Sequence, residues 1–342
     1  MLKFIDKLYD KCLEKSSDHE IFKSLHLLKT TSTKEYLYIA QRMEIQLEYI
    51  YKHNENWLKQ KINSFFNGNH LDKENFNGLL GEIRVYGELL ELQKQTHIIS
   101  NIQTPPEGSD FIVLVNGTEV HIEINTPQKS GTKVTTTNVE RRSIQTEEYI
   151  LTSELCTSAP YGYPQRDKDN IQYEAISKFT KIKQDKEKKQ FKEDVISILW
   201  LDLNDPMISV FSQFDYTAPI GMFNGSISSG YLWNAFYSER GDNIYSDYPH
   251  TRNNLINMEF NGRFNQDSNI DFVIFDAFTH KVIFENHNSN ITFPKDLYKM
   301  FFNLYNFNNK NSYLSLNNKN RLKKTIESER DVSNSLLGII KI

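Results

Sequence analysis

The sequence predicts an α/β protein: a mixed sheet flanked by helices, with a helical N-terminal region and a β-rich C-terminal elaboration. Three observations carry this. Apolar residues recur at helical spacing through residues 1–76 and again through 77–95. Asp110 to Asn125, D-F-I-V-L-V-N-G-T-E-V-H-I-E-I-N, holds two β-branched runs about Asn116-Gly117. That dipeptide is the strongest short hairpin signal, because both central positions of a type I′ turn need positive φ. Val195 to Leu203, V-I-S-I-L-W-L-D-L, is continuously apolar, as in a strand buried on both faces.

The elements follow in order. Ser32-Thr33-Lys34-Glu35 reads as a capping box before a long amphipathic helix with Leu37, Ala40, Met43, Leu47, Ile50, Leu58, Ile62 and Phe65 on its apolar side, stopped near Gly68. Nothing in residues 1–76 signals chemistry; a cap, a homodimer surface and a partner-binding module all fit. Residues 77–95 form a second helix with Leu79, Ile83, Tyr86 and Leu90 as its buried stripe and Glu82 beside it. His97 to Ile102 is a short strand, and the turn cluster Thr104 to Ser109 delivers the chain into Asp110. A helix is expected from Val139 to Leu155 within an irregular, substrate-facing or merely inserted segment. Residues 169–190 return to helix, with Ile171, Ala175, Lys178 and Ile182 on one stripe and a lysine-rich remainder. Ile270 to Phe278 and Lys281 to Glu285 read as a second hairpin. Ser229 to Asn234 is aromatic and suits packing or base stacking.

Composition narrows the partners. The chain has 342 residues, a net charge of −4 and 13% aromatic residues, so it has enough apolar material for a core and no global basic excess. Any nucleic-acid surface must be local. Cys12 and Cys156 are the only cysteines, which excludes a disulfide framework or a zinc cluster and fits a reducing cytoplasm. The N-terminus has charges inside any would-be signal core, and no stretch is long enough to span a membrane.

In the hairpin a two-residue turn sets Val115 against Thr118, Val113 against Val120 and Phe111 against Ile122, and so Asp110 against Glu123. Phe111, Val113, Val115, Val120, Ile122 and Ile124 then share an apolar face. Asp110, His121, Glu123 and Asn125 share the other with Ile112 and Leu114. Opposed like charges destabilise a sheet. A divalent cation removes that cost, and Mg²⁺ (or Mn²⁺) takes one or two carboxylates plus substrate phosphate. Two solvated surface acids are the plain alternative.

The order helix, strand, acidic hairpin, helix, buried strand resembles the PD-(D/E)XK nuclease superfamily, the restriction-endonuclease-like fold, over roughly residues 77–203. The resemblance implies a nuclease-like core there, a helical region at 1–76 and an elaboration at 204–342. It implies that Glu82, Asp110 and Glu123 are the acidic catalytic residues, with Asp110 and Glu123 on the metal. The lysine of (Asp/Glu)-x-Lys is replaced by Asn125. Some members supply that lysine from the following helix, where Lys178 lies on the apolar stripe and is expected within a few Å of Glu123. Asn125, Lys181, Lys183 and Gln184 are the expected substrate-binding set, joined along one side of the cleft by the lysines to Lys192 and by Arg141 and Arg142. The implied function is Mg²⁺-dependent hydrolysis of DNA in a restriction or defence setting. A nuclease-like fold that has lost catalysis and kept binding is the alternative. A helical-plus-β interaction protein without nucleic acid is the third reading.

Overall fold

A computed structural model describes residues 3–15, 25–26, 29–30, 34–67, 73–127, 138–145, 150–157, 171–184, 190–204, 213–219, 230–245, 255–277 and 279–340. Ser32 and Thr33 of the expected capping box, Gly68, and Lys186, Lys188 and Lys189 lie outside them. The chain divides into two compact units: 1–127, 183–207 and 268–323 form the first, and 128–182, 208–267 and 324–342 the second.

The first unit holds a six-stranded mixed sheet. Its strands are β1 (Ile99–Gln103), β2 (Phe111–Val115), β3 (Thr118–Asn125), β6 (Ile196–Asp202), β9 (Phe272–Ala277) and β10 (His280–Glu285), in that spatial order. β2 and β3 pair antiparallel with Phe111 against Ile122 and Val113 against Val120, the expected register. Asn116 (φ 46°) and Gly117 (φ +84°) are both left-handed, as a type I′ turn requires. β3, β6 and β9 run parallel, and β9 and β10 close the sheet as an antiparallel hairpin.

Helices α1 (Lys3–Lys15), α2 (Lys34–Asn67) and α3 (Lys73–Thr96) precede the sheet. α2 is broken at Asn54 (φ −150°, ψ 64°). The Asn54 Oδ1 accepts the Trp57 N–H at 3.2 Å, capping the second half, and its Nδ2 donates to the Tyr86 hydroxyl at 3.3 Å. α3 ends where His97 turns left-handed, which delays β1 to Ile99. Leu79, Ile83, Tyr86 and Leu90 are buried as their spacing predicts, and they join Trp57, Phe111, Val113, Val120, Ile122, Ile198 and Trp200 in one core. α6 (Lys295–Phe302) adds Leu297, Met300 and Phe301 to it.

Gly81 lets α3 approach the sheet ends. A Cβ there would stand 2.4 Å from the Thr126 Oγ1 and 2.9 Å from the Asp202 Oδ2. Both Asp202 oxygens accept from Arg84, one turn further on.

The second unit holds α4 (Ile171–Lys181), α5 (Tyr231–Tyr237), the hairpin β4 (Asn138–Gln145) and β5 (Ile150–Thr157), and the short pair β7 (Asn243–Tyr245) and β8 (Leu255–Asn257). The helix expected over Val139 to Leu155 is therefore a hairpin. Val139, Ile144, Ile150 and Thr152 are β-branched and favour extended backbone there. Ser229 lies outside the described residues; Tyr231 to Asn234 are buried within α5, so they pack rather than stack on bases. α4 is shorter than expected, ending at Lys181. α7 (Lys319–Ile340) closes the chain. No described helix is long and apolar enough to cross a membrane.

Candidate metal and phosphate site

The site forms where β2 begins and β3 nears its end. Strand alternation turns Ile122 and Ile124 into the core and Glu123 to the opposite face, where its in-sheet neighbour on β6 is the buried Leu199. Glu123 is consequently 1% exposed. The surface-hairpin alternative fails on that number. Asp110, one residue before β2, accepts the Ile124 N–H on its Oδ2 at 2.7 Å, which ties it across β3 beside Glu123.

Electrostatics record the crowding. Burial, then the Asp110 charge, push Glu123 up to about 7, against the pull of Lys183. Burial also raises Asp110, opposed by the Ile124 N–H, Lys183 and Lys61. Glu82, one residue beyond Gly81 on α3, is raised by burial and by Asp110, and Lys61 and Lys183 oppose this. Glu82, Asp110 and Glu123 thus act on one another's charge or share the same lysines.

Two ammonium groups reach these acids. The Lys61 Nζ lies 2.5 Å from the Glu82 Oε2, and the Lys183 Nζ lies 2.5 Å from the Glu123 Oε1. The lysine placed on Glu123 is thus Lys183, counted from sequence among substrate contacts. Lys178 is half-buried on α4 of the second unit, whose described buried face runs through Ile176, Phe179 and Thr180; Ile182 of the expected stripe is half-buried, and the side chains of Ile171 and Ala175 are outside the described ones. Phe179 sets that face, and Lys178 falls about 100° round the helix from it. Lys183 is left-handed (φ 57°), a strained state for a lysine, just after α4 ends. Asn125 is half-buried at the end of β3, and Lys181, Gln184 and Lys192 are exposed. The side chains of Arg141 and Arg142 are outside the described ones.

Sequence reasoning missed Lys61 and Gln190. Gln190 Nε2 donates to the Glu123 Oε1 at 2.6 Å. Lys61 carried a faint signal: it lies on the second half of α2, three residues after Leu58 in the apolar run. Gln190 carried none.

Glu123 Oε1 therefore accepts twice, while its Oε2 is buried without a hydrogen-bond partner. Such orphans are rare in native proteins and mark sites for water or an ion. Among the described residues no three His, Cys, Asp or Glu side chains group as a metal cage. The donor set is two carboxylates with a lysine alongside, which fits a hard cation that keeps waters and shares substrate oxygens, as Mg²⁺ does.

Comparison with known protein families, curated proteins and solved structures finds no match to this chain.

Proposed function

We propose that the protein is a metal-dependent DNA endonuclease of the restriction-endonuclease-like class, with Asp110 and Glu123 holding Mg²⁺ or Mn²⁺. The observation that carries the reading is the buried, unpartnered Glu123 Oε2 beside Asp110, with the Lys183 ammonium on the other oxygen. A pair of acids raised by burial and mutual repulsion is costly to the fold, and such perturbed groups cluster at functional sites. Bound there, the cation would polarise the scissile phosphate and lower the pKa of an attached water.

The remaining roles belong to the chain. Lys183 supplies the positive charge that Asn125 cannot, close enough to orient the attacking water and to meet the charge growing on phosphorus. Lys61 holds Glu82 at the edge of the pair and stands ready for a second phosphate oxygen. Gln190 fixes the Glu123 carboxylate so that one oxygen stays open. Lys181 and Lys192, both exposed, serve DNA as point charges.

The inactive-fold alternative draws on Asn125 alone. Lys183 on Glu123 weakens it, because the missing amine has a substitute in place. Digestion of plasmid and single-stranded DNA with Mg²⁺ or Mn²⁺ tests the proposal. Glu123→Ala is expected to abolish cleavage. Lys183→Met is expected to lower the rate by about 100- to 1000-fold, the size of one lost charge-stabilising donor, with DNA affinity held within a few-fold. Binding without cleavage under either metal would move the assignment to a non-catalytic DNA-binding role; neither binding nor cleavage would leave the interaction-protein reading.

A further inference from the structure

Gln190 is an odd residue to find against a carboxylate that already has a lysine. Its amide has two ends, and chemistry decides which faces Glu123. An ionised carboxylate only accepts, so the Nε2 must point at the Glu123 Oε1, where it lies at 2.6 Å. The amide oxygen is the other end of the group, and it is buried with no hydrogen-bond partner. Two adjoining side chains thus each carry one buried, unpartnered oxygen: Glu123 Oε2 and Gln190 Oε1.

The main chain at Gln190 is held from behind. The Ser109 hydroxyl donates to the Gln190 main-chain carbonyl at 3.0 Å. The His121 Nδ1 lies at hydrogen-bond distance, 3.0 Å, from the same hydroxyl. The His121 Nε2 is hydrogen-bonded to the Glu119 Oε1 at 2.6 Å. Ser109 and His121 are 4% and 3% exposed, so the brace is dry. The next residue, Phe191, is fully buried, and its carbonyl accepts from the Asn269 Nδ2 at 3.2 Å.

We infer that Gln190 Oε1 is a third oxygen ligand of the cation site, and that Ser109 and His121 are positioning residues that hold the main chain from which Gln190 reaches it. The inference rests on the metal reading above. Carboxylate and side-chain amide oxygens are ordinary partners of hard cations. The arrangement also explains why Glu123 has two donors crowded on one oxygen and none on the other: both turn their acceptors toward the same use.

Mn²⁺ binding to the full chain without DNA, by calorimetry and electron paramagnetic resonance, tests this with no dependence on turnover. Gln190→Leu keeps the volume and removes the oxygen; it is expected to weaken Mn²⁺ by roughly 10- to 100-fold, the usual cost of disturbing a metal site's supporting groups. Gln190→Glu keeps an oxygen and adds charge; it is expected to bind Mn²⁺ as tightly as the unaltered protein or more so. Ser109→Ala is expected to weaken Mn²⁺ by a smaller factor, and Ser109→Thr to restore it. Circular dichroism and melting curves on each variant establish that it folds. Unchanged affinity in Gln190→Leu overturns the inference. So does a loss in Gln190→Glu as large as in Gln190→Leu, because a residue serving only as donor to Glu123 would fail worst as a second carboxylate. If the unaltered protein and Glu123→Ala bind Mn²⁺ alike, the metal reading itself falls and takes this inference with it.

Discussion

Replacing Glu123 by glutamine is expected to stabilise the metal-free protein near pH 8 and to leave it almost unchanged near pH 4. Glu123 is raised from an ordinary 4.5 to about 7, with burial as the first cause and Asp110 as the second. The native chain therefore holds a proton that the unfolded chain has released. Stability from that proton is present below about pH 4.5 and is lost as pH rises through about 7. The gap of two to three units corresponds to about 3 kcal/mol at full ionisation. Glutamine mimics the protonated acid: its oxygen accepts from Lys183 and Gln190, and its nitrogen takes the place of an oxygen that already had no partner. Urea unfolding in chelator, at both pH values, gives the difference directly. The wild type should lose about 3 kcal/mol relative to Glu123→Gln on going from acid to base. Millimolar Mg²⁺ should return stability to the wild type alone, by about 2.7 kcal/mol at a hundredfold excess over its dissociation constant. A destabilised Glu123→Gln near pH 8 would refute the reasoning, since Lys183 and Gln190 would then outweigh both burial and Asp110.

The same proton competes with the cation, so apparent Mn²⁺ affinity should rise with pH, by up to about tenfold per unit, and level off above about 7; calorimetry across buffers checks this. Gly81→Ala should destabilise by about 1–3 kcal/mol, because its Cβ would meet Thr126 and Asp202 at 2.4 and 2.9 Å. Gly78→Ala on the same helix meets nothing within 4 Å and should stabilise by roughly 0.5–1 kcal/mol, both read as shifts in urea midpoint. Lys281→Met should cost about 3–5 kcal/mol, since Lys281 lies 3.1 Å from both Glu88 and Asp276 and its loss leaves buried Asp276 without its ion pair and buried Glu88 with Arg42 at 3.8 Å; thermal unfolding measures it.

What could be read from sequence was what local periodicity encodes. The Asn116-Gly117 turn fixed the hairpin register, and period-two alternation then assigned Glu123 its face and its neighbour. Helical phase put Glu82 on the flank of the α3 stripe. Non-local facts stayed hidden. β9 pairs in parallel with β6 some seventy residues away, so nothing local said that the second hairpin completes the first sheet. The amine on Glu123 was misread for a related reason. Helical phase favoured Lys178, but α4 stops at Lys181 and the left-handed Lys183 redirects the chain. A helix end of that kind has no periodic signature, and Gln190 lies beyond it. The Val139 to Leu155 segment failed because its short apolar runs fit either period, and its β-branched residues weighed more than helical spacing.

Charge explains why the site is built from so many separate segments. Glu82, Asp110 and Glu123 bring three carboxylates, and Lys61 and Lys183 return two ammonium groups, so the fully ionised cluster is left with one negative charge. In a partly buried place that surplus raises the acids rather than remaining as free charge. On the proposed metal reading, a divalent cation would convert the surplus to one positive charge, and one phosphodiester oxygen would neutralise it. Had a lysine also stood at Asn125, the metal-free cluster would already be neutral and the acids would be held lower, with less drive to take up a cation. Placing the amine on the chain after α4 instead leaves the strand end uncharged. Gln190 suits the same arithmetic: it supplies a donor and an acceptor without altering the sum. On the proposed reading, the left-handed backbone at Lys183 and the unpartnered oxygen on Glu123 belong to one arrangement, a cluster whose charge and hydrogen bonds would close when cation and phosphate bind together.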